Sequence, residues 1–162
     1  MNEWIQTSAL VLAKCASNDP WFPKPGEALV KAWAEVFADS RLSREDLLAG
    51  VARAYRIEEE GFRPLPASIV KHARAAYFEA LGALDDEQRD QMLTMAYELE
   101  DMGFPPPLAQ KHVRRVALGR SPAIDLSEQE RAELFSRVQV RLALQPRVGV
   151  AEAVERMAAS KK

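Results

Sequence analysis

An all-α fold follows from three features of the sequence. Ala, Leu, Glu and Arg, all good helix formers, are abundant, while the 162-residue chain holds only seven glycines. β-branched residues never alternate with polar ones over a useful length, so no strand is expected. Apolar residues instead recur every three or four positions between breaks marked by Pro and Gly. About eight helices are expected, stacked as antiparallel hairpins. Residues 1–82 read as one helical domain, and residues 83–162 as helical hairpins that pack on it or follow it.

The first helix places Trp4, Ser8, Val11, Leu12 and Cys15 on one face. It ends before SNDPWFPKPGE, where three prolines in six residues forbid a continuous helix. The second, about Glu27 to Ala38, presents Leu29, Trp33, Val36 and Phe37 to a core. Ser43 is the expected N-cap of the third, with Asp46 three residues on as an acidic capping box and Gly61 as the C-terminal stop. Leu47, Leu48, Val51 and Tyr55 form its apolar stripe. Pro66 suits the first turn of the fourth, whose inner face runs through Ile69, Val70, Ala73, Tyr77 and Leu81 to Gly82.

Asp85 with Gln88 makes a second capping box and opens a helix through Met102, with Leu93, Met95, Ala96 and Leu99 inside. Gly103 ends it. The next helix begins at Pro106 or Pro107 and turns Leu108, Val113 and Val116 inward as far as Gly119. Ser127 with Glu130 starts a further helix presenting Leu134, Val138 and Leu142. A PRVG break then precedes a short last helix around Val150 to Ala159.

A weak internal repeat of about 42 residues runs through this pattern. One offset places Ala54-Tyr55 on Ala96-Tyr97, Gly61-Phe62 on Gly103-Phe104 and Pro64 on Pro106. After a two-residue slip, Lys71-His72 falls on Lys111-His112. SEQER at 127 echoes DEQRD at 86 as a fainter third unit. Helical hairpins in general end on Gly and restart on Pro, so either shared hairpin grammar or a duplication accounts for the repeat. In both cases the Gly-Phe-Pro element reads as a tight corner between antiparallel helices.

The net charge of −2 does not advertise nucleic-acid binding, but it is unevenly spread. Residues 81–102 carry one basic and seven acidic groups, and residues 103–120 carry four basic and none acidic. The two stretches could neutralise each other or serve as faces for different partners. A single cysteine, Cys15, allows no internal disulfide and suits a reducing cytoplasm. At the N-terminus, Glu3 and Lys14 flank an apolar run of only Ala9–Ala13, which fits neither a signal peptide nor a lipidation site. No apolar stretch approaches the roughly 20 residues of a membrane span, so no membrane partner is expected.

No set of residues assembles a catalytic constellation. His72 and His112 have too few companions for a zinc site, and neither a phosphate-binding Gly-rich loop nor a nucleophile elbow is present. A non-enzyme without metal or cofactor is expected. Binding is the open possibility. Lys71 and Arg74 share one face of their helix, and Lys111, Arg114, Arg115 and Arg120 form a denser group that could meet phosphates or pair with acids. Trp21 and Phe22, in the proline-rich loop, are candidate anchors for a protein partner or lids over the first helix pair.

The stretch from Trp33 through SREDLLAGVARAYRIEEEGFRPLPASIVKHAR carries a Trp, an Asp-containing helix start, Val-x-x-x-Tyr, and then Pro-x-x-Ile before a basic helix. It resembles the N-terminal helical domain of phage replicative-helicase loaders, a likeness spanning about residues 4–75. The family's recurrent positions fall on Trp33, Val51, Tyr55, Pro66 and Ile69. The resemblance implies a phage-type DNA replication accessory protein, an adaptor that binds a hexameric replicative helicase and works beside a replication initiator. No helicase-contacting residues carry over, because the folded-looking C-terminal third departs from the family's flexible tail. Two other readings stay open: a DNA-binding regulator using the basic helix 106–118, and an interaction module that inhibits or redirects a host protein.

Overall fold

The computed structural model describes residues 2–144, which form seven α-helices and no strand. These are α1 (Asn2–Asn18), α2 (Glu27–Ser40), α3 (Arg44–Ile57), α4 (Pro66–Gly82), α5 (Asp86–Asp101), α6 (Pro106–Ala117) and α7 (Glu128–Leu144). The helix expected over residues 150–159 lies outside the described residues. The chain divides into two compact units, Met1–Leu84 and Asp85–Lys162.

In the first unit α1 packs on α2 and α3, and α4 packs on α2 and α3, so four helices enclose one core. Val11, Leu12, Phe37, Leu47, Val51 and Ile69 are fully buried there. Each such side chain removed from water contributes about 2 kcal/mol. Trp33 adds an edge-to-face contact with Phe37, ring centroids 5.8 Å apart. The α3–α4 pair is the tightest. A Cβ on Gly50 would lie 2.7 Å from both the Ala73 nitrogen and the Ile69 carbonyl oxygen, so the two backbones touch where a side chain is missing.

The second unit builds on α5, which packs against both α6 and α7. Ala96 and Leu99 of α5 meet Ala109 and Val113 of α6, Leu134 and Val138 of α7, and Ile124 and Leu126 from the segment before α7. Three residues expected inside are exposed: Leu93 at 46%, Val116 at 39% and Leu108 at 36%. Three helices cover only a narrow stripe of one another, so apolar positions flanking that stripe stay in contact with solvent.

Helix starts obey the local rules. Backbone N–H groups of Asp46, Gln88 and Glu130 donate to side-chain oxygens of Ser43, Asp85 and Ser127, at 3.2, 2.8 and 3.2 Å. The reciprocal bonds are present in all three. The three caps are spaced 42 residues apart, so the repeat is realised as a recurring helix start.

The Gly-Phe corners differ from each other. At Gly103 (φ +96°), the Phe104 N–H donates to the Leu99 carbonyl and the Gly103 N–H to Glu100, which is a Schellman stop. Gly119 with Arg120 closes α6 the same way. Gly61 (φ +85°), expected as the stop of α3, instead sits in a separate turn, because α3 ends four residues earlier at Ile57. Glu58 leaves the helix with extended backbone (ψ 154°), and its carboxylate turns to His72. Three adjacent acids at a helix C-terminus also oppose the helix dipole, which favours the early exit.

Candidate functional site

The loop after α1 is held by one carboxylate. Asp19 Oδ1 accepts from the Trp21 backbone N–H (2.9 Å), and Asp19 Oδ2 accepts from Arg63 Nε (3.0 Å). The Asp19 carbonyl accepts from the Phe22 N–H at 3.0 Å. Arg63 beside it holds the Asp19 carboxyl below the usual carboxylate range. Asp19 thereby ties the end of α1 to the loop that follows α3. On this stem the two aromatic neighbours part company. Phe22 packs against the first unit's core, whereas Trp21 is 82% exposed. A cavity of about 410 Å³ opens beside it, with Tyr55, Glu58 and Phe62 in its wall.

The basic candidates fall in separate places. Lys71 and Arg74 are exposed on α4 of the first unit, and Lys111 and Arg114 are exposed on α6 of the second. None of these four makes an ion pair among the described residues, and the acids of α5 do not neutralise Lys111 or Arg114. Arg115 is half-buried, with Nε donating to the Ser121 carbonyl. Arg120 is likewise half-buried, and its backbone N–H belongs to the stop of α6. Two of the six cations thus stand close to structural duties.

Both histidines are buried, at 3% exposure for His72 and 4% for His112. Arg53 Nη1 donates to His72 Nδ1 (2.8 Å), which leaves the ring proton on Nε2 to be donated to Glu58 Oε1 (2.8 Å). Arg53 also holds Glu79 through Nε at 3.0 Å and keeps that carboxyl below its ordinary range. A polar chain Glu58–His72–Arg53–Glu79 therefore crosses α3 and α4. In the second unit, His112 Nδ1 accepts from the Ile124 backbone N–H at 3.0 Å, which pins the segment before α7 to α6. The Lys-His pairs are visible in the sequence. Their inward side and their bonds depend on chain segments 12 to 19 residues away in sequence.

Among the described residues no group of three or more His, Cys, Asp or Glu could hold a metal ion, and no helix is long and apolar enough to cross a membrane. No protein-family model, curated protein or solved structure matches the chain.

Proposed function

We propose that the chain is a replication accessory protein that acts as a helicase-loading adaptor, binding a hexameric replicative helicase through the first unit. Trp21 carries this reading. A large aromatic side chain held in water on a carboxylate-pinned stem gains nothing for folding, but it gives a partner a rigid anchor at little entropic cost. The loader-like positions Trp33, Val51 and Ile69 lie in the core beneath that loop, with Tyr55 packed against them, so the likeness accounts for the platform and Trp21 for the contact.

Light scattering of the purified chain mixed with a hexameric replicative helicase, without DNA, tests the reading. A stable complex is expected, and Trp21→Ala should weaken it by about thirtyfold, the loss typical of a central anchor. The thermal midpoint should not move. Absence of a complex, or a complex indifferent to Trp21→Ala, removes the adaptor reading.

One observation favours a second reading, a DNA-binding regulator. Lys111 and Arg114 stand exposed and without an ion pair among the described residues, one turn apart on α6. Duplex DNA at two salt concentrations belongs in the same experiment. If neither helicase nor DNA binds, an interaction module directed at a host protein becomes the leading reading.

A further inference from the structure

A cavity of about 630 Å³ lies within the second unit, between α5, α6, α7 and the segment that precedes α7. That volume is within the range of small-molecule sites. Its wall is mostly apolar, with Met95, Val116, Leu134, Phe135 and Val138 contributing, and among the described residues no Asp or Glu lines it. Among the described residues Arg131 is the one Lys or Arg in the wall.

His112 is the second, independent feature. It lines the cavity while only 4% exposed. The Ile124 N–H can only donate, so Nδ1 is the acceptor and the neutral ring carries its proton on Nε2. Burial holds the ring's pKa below its ordinary value, which keeps it neutral. Among the described residues Nε2 has no hydrogen-bond partner. That N–H, on a ring only 4% exposed and set in an apolar wall, is available to donate to an acceptor in the cavity.

We propose that this cavity binds a small apolar molecule bearing one hydrogen-bond-accepting or anionic head. The head accepts from His112 Nε2–H on the side of the wall free of carboxylates, and the apolar body lies against Met95, Val116, Leu134, Phe135 and Val138. A hydrocarbon without a head would leave the donor unpaired, and a cation would find no carboxylate among the described lining residues. The site belongs to the second unit alone and does not depend on the helicase reading.

The test uses the whole chain, anilinonaphthalene sulfonate as fluorescent probe and decanoate as competitor. Saturable probe fluorescence that decanoate displaces is expected. Val116→Glu, which puts a carboxylate at the partly exposed wall, should lower affinity for both by about tenfold or more. Leu93→Glu is the control, since Leu93 is 46% exposed and outside the wall, and it should bind as the parent does. His112→Asn keeps an acceptor for the Ile124 N–H, and its shorter amide places no donor at the Nε2 position, so decanoate should weaken by about tenfold while helicity is retained. If that variant loses its helical circular dichroism, Val116→Glu decides alone. Probe binding that decanoate cannot displace overturns the proposal, as does equal binding by Val116→Glu. An equal loss in Leu93→Glu also overturns it, by marking diffuse adsorption to exposed apolar side chains.

Discussion

Cys15 shows how a residue's surroundings decide its chemistry. The side chain has no exposure to solvent, and burial pushes its thiol up to about 11. At about pH 8 only roughly a thousandth of it is thiolate, so iodoacetamide should modify the folded chain far more slowly than the unfolded one. Labelling at the rate of a free thiol would contradict the packing of α1. His112 gives a second residue-scale expectation. Its folded pKa lies below the ordinary 6.5, so on acidification the unfolded chain takes up the proton first. The stability it contributes is complete above about pH 6.5 and is lost as pH falls through the folded value. Thermal melts at about pH 8 and pH 5.5 should show a drop that His112→Asn reduces. In the sequence the two Lys-His pairs look alike, yet His72 answers an arginine and His112 a backbone amide. That distinction is invisible to spacing, because both partners arrive from other segments.

At the scale of elements, Gly50 is the most exacting position. Ala is favoured over Gly in a helix by about 1 kcal/mol, so propensity alone would make Gly50→Ala stabilising. The Cβ, however, would meet the α4 backbone at 2.7 Å, and backbone cannot rotate away as a side-chain tip can. Forcing α3 and α4 apart costs about 3 kcal/mol, and this outweighs the propensity gain. Urea unfolding should therefore show a net loss of about 2 kcal/mol, and an unchanged midpoint would mean that α3 and α4 yield to the added Cβ without cost. The glycine carried no signal in the sequence, since a small residue in an apolar stripe also occurs at ordinary helix contacts. The capping boxes at Ser43, Asp85 and Ser127 were fully legible, because a cap is completed within four consecutive residues. The early end of α3 was not, since it depends on Glu58 reaching His72 fourteen residues away.

For the whole molecule, charge separates the two functional readings. Reversing Lys111 and Arg114 to Glu should leave helicase binding intact if Trp21 is the anchor. If those cations meet phosphates, the slope of log affinity against log salt for duplex DNA should flatten by about 2, because two counterion-releasing contacts disappear. A titration at several salt concentrations, read by anisotropy, distinguishes the outcomes. The all-α class, the helix starts and most of the buried positions were present in the sequence by itself, because periodicity, caps and proline breaks act within a turn or two of the chain. Tertiary structure alone decided that Phe22 is packed and Trp21 exposed, that Leu93 and Val116 lie outside the core, and that both histidines face inward. Each of these depends on how much of a helix face its neighbours cover, and that is a property of packed elements which no local pattern contains.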